Sequence, residues 1–479
     1  MAMSTVKAKP GQATWWPAKV PTFTPIAPAP VLRMAIGWAA ASVTQGQLVQ
    51  GGETICPAAA GRPAVLAPCR ARVGNMTMVE GVGRVRKAME LIPISDADAE
   101  ASTATLPGAT AGTSPPATSS TTPNPTPQAL SSAPKAESFR RSSSADIGQW
   151  IDRLRDAGVS AQRTSSPDLI GQLNMALRRP VDTIICSVLD SDPTMRIQGA
   201  MCATYPEDLE AGMTLLLQCC QASRGFVVVE AWSPATWSVP VRKVLRGTPI
   251  KLVELANDYP QADPSLMLYT IARRRLRPGR LPVERATLLL DAAAVIAVGR
   301  TARGKPALPV HMGLRDRASG ISYYIAAIDG TPLNHILADL PLTRPYILRG
   351  GDLLRDCRLG DDTTICAADE RIIHVCPAEA VVNPEPCIRC AWCVESCPTR
   401  VHPALLLEAA QEHNLARARW AGLDACIECG ICVHVCPSQL PILDGIRQLK
   451  LIVEDQDARP EAQRRGKSDV VAEDAPGDL

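Results

Sequence analysis

The pattern of hydrophobic and polar positions changes several times along the chain. Residues 31–97 carry short β-type runs separated by glycine and proline, which is typical of a small all-β module. From residue 146 onward, apolar strand patterns such as 181–189 alternate with helical patterns such as 205–221. This alternation predicts a parallel α/β sheet. Segment 286–298 is apolar with an interruption at Asp291, and its period leaves helix and strand open.

Segments without such a pattern separate the predicted units. Residues 1–30 hold six prolines and predict an extended arm. Residues 98–145 are rich in Ser, Thr, Pro and Ala and predict a disordered linker, and the charged residues 454–479 predict a disordered tail. The units between them are expected to be an all-β module, an α/β domain, a small α+β module and a cysteine-rich helical domain, at 31–97, 146–306, 307–377 and 378–453.

Eight of the 17 cysteines form two matching runs near the C-terminus. Each run has the spacing C-x2-C-x2-C-x3-C-P, in which three thiolates reach three irons of one 4Fe-4S cluster and the fourth ligates the other cluster. The prediction is one cluster held by Cys387, Cys390, Cys393 and Cys436, and a second held by Cys426, Cys429, Cys432 and Cys397. A zinc module is the alternative, but zinc needs four ligands per site and leaves part of each run unexplained.

The surroundings of the two runs add three expectations. The segment from Pro403 to just before Gly422 predicts one helix between the runs. Ile388 is expected to help bury the first cluster, and Trp392 either shields that cluster from water or belongs to a partner-docking surface. Arg389 in the first run corresponds to Glu428 in the second; because a cation favours the reduced cluster, the first cluster is expected to have the higher potential.

Charge and hydropathy limit the functional classes. The formal net charge is +2, which indicates no nucleic-acid partner. The longest apolar stretches are too short for a transmembrane helix, and the N-terminus lacks the apolar core of a signal peptide. Iron-sulfur chemistry and reduced thiols are typical of the cytosol or the cytosolic face of a membrane.

The cysteine runs, together with upstream segments, resemble the C subunit of the Rnf complex, the ion-translocating ferredoxin:NAD oxidoreductase of bacterial membranes. The segments that carry the resemblance are 385–398 and 426–441 and, upstream, 349–354, 330–333, 259–261 with 281–282, and 181–185. The resemblance implies a multidomain α+β fold with a barrel-sandwich module, a Rossmann-like domain, a β-grasp-like module and a bacterial-ferredoxin-like double 4Fe-4S domain. It also implies FMN and NAD(H) as cofactors, other subunits of an Rnf-like complex and ferredoxin or flavodoxin as partners, and a peripheral position on the cytoplasmic side of the inner membrane.

The chain departs from this family at the cofactor loop. Where the family has a glycine-rich phosphate loop, residues 157–167 keep only Gly158, and Arg163 and Thr164 stand in the loop. Asp190 and Asp192 replace two glutamates and are candidates for flavin-site remnants or for solvated turn residues. Two interpretations stay open: an electron-transfer subunit that uses only two 4Fe-4S clusters, or an NADH-oxidising FMN and iron-sulfur flavoprotein. The second would be the Rnf C subunit proper or a soluble cobalamin-reductase-like relative, so catalysis by this chain itself stays open.

Overall fold

A computed structural model gives the structure of the protein. It describes residues 5–7, 19–36, 40–59, 63–81, 84–94, 144–159, 161, 166–342, 344–360, 363–365, 371–378 and 383–458. The predicted linker at 98–145 lies outside the described residues except for 144–145. Of the predicted tail at 454–479, only 454–458 are described, and these residues continue the last helix.

The strands and helices are numbered here in chain order. The strands are β1 (Thr5–Lys7), β2 (Thr24–Pro25), β3 (Leu32–Ala35), β4 (Leu48–Val49), β5 (Thr54–Cys56), β6 (Val65–Leu66), β7 (Ala71–Gly81), β8 (Arg84–Pro93), β9 (Thr183–Ser187), β10 (Arg224–Glu230), β11 (Ile250–Leu255), β12 (Thr287–Asp291), β13 (Val310–Asp316), β14 (Ile321–Ala327), β15 (Tyr346–Gly350), β16 (Cys357–Leu359) and β17 (Ile372–Pro377). The helices are α1 (Ser144–Asp156), α2 (Leu169–Ala176), α3 (Ile197–Thr204), α4 (Pro206–Cys220), α5 (Ala235–Leu245), α6 (Pro264–Ala272), α7 (Ala292–Ala302), α8 (Leu333–Leu337), α9 (Trp392–Glu395), α10 (Pro403–Gln411), α11 (Leu415–Trp420), α12 (Ile431–His434) and α13 (Ile442–Ala458). Short 3₁₀ turns lie at Pro282–Arg285 and Leu423–Ala425.

The N-terminal β strands form two small antiparallel sheets. One has the order β3-β8-β7-β4, and the other pairs β5 with β6. Residues of these strands alternate between buried and exposed positions, and Leu32, Val49, Ile55 and Leu91 build the core. The all-β character expected from the short strand patterns is present here, and the assignment to a barrel-sandwich fold stays a prediction.

A parallel sheet of order β11-β10-β9-β12 forms the centre of the α/β domain. Strands β9 and β12 are buried along their whole length, because apolar cores lie on both faces of the sheet. Ile184 and Leu288 belong to one core, and Ile185 and Leu289 belong to the other. Burial on both faces is the reason that residues 181–189 form an almost continuous apolar run.

The apolar segment 286–298 is divided between β12 and α7. Asp291 ends the strand and caps the helix, since its Oδ1 accepts the N–H of Ala294 at 2.8 Å. Both elements are buried, so neither has a polar face that would distinguish a helical period from a strand period in the sequence.

The next unit is built on a mixed sheet. Strands β13 and β14 are antiparallel, β17 is parallel to β13, and β15 is antiparallel to β17. The N-terminal arm joins this sheet through β1 and β2, both paired with β14. Overall the chain is a mixed α/β multidomain protein as expected, while the β-grasp-like assignment and the domain boundaries stay predictions.

His311 lies where the arm, the α/β domain and this mixed sheet meet. Its ring Nδ1 is 2.9 Å from the carbonyl oxygen of Pro309, and its Nε2 is 3.2 Å from the Tyr205 hydroxyl. The ring of Phe23 stands edge-on to it, with the ring centroids 4.4 Å apart. Burial lowers the pKa of His311 from 6.5 to about 4, so the imidazole is neutral near neutral pH.

This lowered pKa predicts a pH dependence of stability. The unfolded chain binds a proton at His311 more readily than the folded chain, so the stability gained from the neutral ring falls as pH decreases from 6.5 towards 4. The loss should reach about 3 kcal/mol for complete protonation. Urea unfolding should show that the free energy of unfolding decreases less between pH 7 and pH 5 for His311→Phe than for the wild type. Equal decreases in the two proteins would contradict the prediction.

The C-terminal helical domain follows a repeated plan. Each cysteine run enters a one-turn helix, α9 or α12, and the longer helices α10, α11 and α13 pack around Leu406, Ala418, Ile446 and Leu449. The prediction of a single helix between the runs is wrong: it divides into α10 and α11, because Asn414 caps a new helix by accepting the N–H of Arg417. Within the described ranges, no helix combines the length and apolar character needed to cross a membrane.

Candidate metal centre

The second cysteine run surrounds a cavity. Its lining includes Cys426, Cys429 and Cys432 of the second run and Cys397 of the first. The structure therefore brings together the four thiols that the sequence spacing assigns to one cluster.

The thiols of the second run around this cavity have raised pKa values, because of burial and because they lie close to one another. Burial, with a smaller contribution from the neighbouring Cys426 and Cys429, raises the pKa of Cys432 to about 12. Burial also raises the pKa of Cys429 to about 11, with Cys426 and Cys397 contributing. Iron binding requires thiolates, so cluster assembly must release protons from these buried groups.

The predicted ligands of the first cluster lie nearer the surface. Cys387 is exposed, and Cys390, Cys393 and Cys436 are half-buried. Burial raises the pKa of Cys393, and the nearby Cys390 and Cys387 add to the effect. The one-turn helix that contains Cys393 contacts the one that contains Cys432, so the two groups of thiols are neighbours.

These thiols do not converge on a point. Among the residues that the structure describes, no three His, Cys, Asp or Glu side chains form a group that could hold a metal ion. Each iron of a 4Fe-4S cluster takes one protein thiolate, so the cysteines of a cluster site stand around a volume. The arrangement at Cys397, Cys426, Cys429 and Cys432 fits a cluster in this respect.

Both cysteine loops have the same backbone conformation. Arg389 and Ala391 in the first loop, and Glu428 and Gly430 in the second, all have positive φ angles. This turn directs the N–H of Arg389 to Cys387 Sγ and the N–H of Glu428 to Cys426 Sγ, each at 3.4 Å. N–H bonds to sulfur are one of the means by which proteins tune cluster potentials.

The second loop is bound to the body of the protein. The Tyr259 hydroxyl donates to the carbonyl of Cys429, and Arg355 Nη1 donates to the carbonyl of Ile427 at 3.2 Å. A Cβ atom on Gly430 would lie 2.0 Å from the carbonyl oxygen of Leu354, so only glycine fits there. The exposed first loop has no such requirement, which explains alanine at position 391.

The first loop is open to solvent. Ile388 is 66% exposed and Trp392 is 54% exposed. The structure therefore places these side chains at the surface, and their shielding of the first cluster stays a prediction.

Asp190 and Asp192 are buried at the carboxyl end of β9, so the interpretation as solvated turn residues is wrong. The Asp190 carboxyl accepts the N–H of Gln198 at 3.2 Å, and burial raises its pKa. Asp192 Oδ2 lies 2.8 Å from His374 Nε2, and its Oδ1 accepts two bonds from Thr194. Burial opposes ionisation of Asp192, but the nearby His374 and the two bonds from Thr194 outweigh it and lower the pKa.

The chain's own side chains occupy this carboxyl edge of the parallel sheet, where open α/β sheets bind ligands. Arg196 pairs with Glu230 at 2.9 Å, and Gln198 connects Asp291 with the N–H of Ala293. Four carboxyl groups lie at this edge, those of Asp190, Asp192, Glu230 and Asp291, and such a set does not fit a flavin phosphate. Arg196, Gln198 and Glu230 were not predicted from the sequence as residues of this edge. The altered loop at 157–167 is described only in part. Its residues 160 and 162–165, which include Arg163 and Thr164, lie outside the described residues.

Comparison with known proteins agrees with the cysteine geometry. Residues 386–440 match the family model of the 4Fe-4S dicluster domain. The chain is thus an iron-sulfur protein with a C-terminal ferredoxin-like domain, and this part of the predicted fold and cofactor set is confirmed.

Similarity to curated proteins extends upstream of residues 386–440. The chain is 22% identical over 283 residues to the C subunit of the proton-translocating ferredoxin:NAD(+) oxidoreductase complex of Clostridium ljungdahlii, and the match covers 56% of this chain and 62% of the relative. It is 25% identical over 331 residues to the C subunit of the ion-translocating oxidoreductase complex of Edwardsiella ictaluri, and that match covers 66% of this chain and 41% of the relative. The chain spans less than two thirds of the length of these relatives, and its similarity to C subunits of ion-translocating oxidoreductase complexes agrees with the resemblance predicted from the sequence.

A solved structure of an NAD⁺-reducing NiFe hydrogenase is also similar. It has 13% identity and a TM-score of 0.39, and the match covers 70% of this chain and 68% of that chain. At this score the similarity carries no argument about function.

Proposed function

We propose that this chain is an electron-transfer subunit of an Rnf-like ion-translocating oxidoreductase complex, and that it relays single electrons through two 4Fe-4S clusters. The observation that carries the proposal is the cavity lined by Cys397, Cys426, Cys429 and Cys432 within the matched dicluster domain. Cys387, Cys390, Cys393 and Cys436 would hold the other cluster. When bound, such clusters accept and release one electron at a time.

The chain's own residues position the two sites for a relay. Cys397 follows the first loop in sequence but lines the site of the second loop. Cys436 follows the second loop and is assigned to the first site by the same spacing. This exchange of ligands would keep the two sites adjacent, in agreement with the contact between helices α9 and α12.

The relatives suggest the setting of this relay. Other subunits of an Rnf-like complex would supply attachment to the cytoplasmic side of the inner membrane, and ferredoxin or flavodoxin would exchange electrons with the complex. The near-neutral charge of +2 favours no nucleic-acid partner.

The alternative function, an NADH-oxidising FMN flavoprotein, has less support. It requires a phosphate site in the α/β domain, where Asp190, Glu230 and Asp291 are engaged with the chain's own groups. FMN and NAD(H) are therefore left out of the proposed mechanism, and the chain's contribution is electron transfer without substrate chemistry.

Cofactor analysis of the anaerobically purified full chain tests this proposal. We expect about eight irons and eight sulfides per chain, paramagnetic resonance signals from two reduced clusters, and no bound flavin. About four irons would remove one of the two proposed sites. Stoichiometric FMN that is bleached by NADH would establish the flavoprotein instead.

A further inference from the structure

An ion pair lies beside the cysteines of the second loop. Glu428, between Cys426 and Cys429, has its Oε1 2.6 Å from Lys450 Nζ. The same Nζ donates to the carbonyl oxygen of Cys426 at 2.6 Å. Lys450 on α13 therefore contacts both the charged side chain of the loop and the backbone of a predicted ligand.

The pair is shielded enough for its charges to act on the site. The side chain of Lys450 is 24% exposed, that of Glu428 is 30% exposed, and Cys426 is buried. Arg447 on the same helix lies 3.6 Å from Glu428, as a second cation. Arg355, which also reaches this loop, is paired with Asp352 and contributes little net charge.

This pairing changes the comparison between the two loops. Arg389 and Glu428 occupy corresponding positions, and sequence alone suggests that the second site is the more negative. In the structure the charge of Glu428 is compensated by Lys450 and Arg447, whereas Arg389 is exposed and screened by water. The charges of Arg389 and Glu428 alone therefore do not predict the difference between the midpoint potentials of the two clusters.

We propose that Lys450 and Glu428 set the midpoint potential of the cluster held by Cys397, Cys426, Cys429 and Cys432. Lys450 raises the potential, because a nearby cation stabilises the additional electron of the reduced site, and Glu428 lowers it for the opposite reason. Both are positioning residues that act through charge and through the loop backbone. This inference rests on the proposed function, since it requires a cluster at this site.

Redox titration of the reconstituted full chain, followed by paramagnetic resonance, tests the pair with substitutions of opposite sign. Lys450→Met should lower one midpoint and Glu428→Gln should raise the same midpoint. Each change should alter the ratio of reduced to oxidised cluster on the order of threefold to tenfold, and tenfold corresponds to about 59 mV for one electron. Lys450→Arg should keep the wild-type midpoint, and the double variant should lie between the single ones.

Arg419→Gln is the matched control, because it removes an exposed cation of α11 in the same domain. It should leave both midpoints unchanged. Shifts of the same sign in Lys450→Met and Glu428→Gln, or no shift in either, would overturn the inference. If Lys450→Met does not assemble its cluster, Glu428→Gln decides alone. Absence of cluster signals in the wild-type protein would instead reject the proposed function.

Discussion

Replacing Cys397 by alanine is expected to abolish the cluster of the second loop and to leave the cluster of the first loop in place. Cys397 lies in the first cysteine run, but it lines the cavity together with Cys426, Cys429 and Cys432. A site that lacks one of four thiolates loses its iron or holds an incomplete cluster. Iron should fall from about eight to about four per chain.

The comparison variants make this result specific. Cys397→Ala should have the same spectrum as Cys426→Ala and a different spectrum from Cys387→Ala. Cys357→Ala, in strand β16 outside both sites, should keep the full iron content. A Cys397→Ala protein that resembles Cys387→Ala would show that each run holds its own cluster, contrary to the structure.

Replacing Gly299 by alanine is expected to destabilise the α/β domain strongly. Helices α4 and α7 touch at this residue, where an added Cβ would lie 1.8 Å from the carbonyl oxygen of Asp208 and 2.7 Å from the backbone nitrogen of Gly212. Both contacts are with backbone atoms, which cannot rotate away. Overpacking usually costs about 1–3 kcal/mol, and a backbone clash of this kind should cost about 3 kcal/mol or more.

Gly148→Ala is the matched control for this prediction. Gly148 lies in helix α1, and a Cβ there would meet nothing within 4 Å. Alanine should stabilise that helix by about 0.5–1 kcal/mol, because it restricts the unfolded chain and favours the helix. Urea unfolding monitored by the fluorescence of buried tryptophans such as Trp237 would measure both variants. Equal stability of the two variants would contradict the close helix contact.

Part of the fold could be predicted because it depends on local periodicity. Strand and helix patterns from 181 onward gave a parallel sheet, and the observed order is β11-β10-β9-β12. The prediction failed where a boundary depends on one polar atom. Asp291 divides segment 286–298 into strand and helix, and Asn414 divides the expected helix after Pro403, each by a single capping hydrogen bond.

The sequence by itself determined the ligand chemistry of this protein. Two runs of cysteines with fixed short spacing place thiolates around a common volume. This spacing lies within short segments of the chain, so it can be interpreted without the tertiary structure. The spacing also predicts that each run supplies one ligand to the cluster of the other run, and the position of Cys397 in the cavity beside the second run agrees with this prediction.

Only the tertiary structure decided how the two sites differ. It packs the second loop against Leu354 and Tyr259, and it leaves Ile388 and Trp392 of the first loop in solvent. It also compensates the negative charge of Glu428 with the positive charge of Lys450, which lies on helix α13. Burial and charge pairing arise between residues distant in sequence, so no local pattern encodes them, and they give two similar cysteine loops different environments.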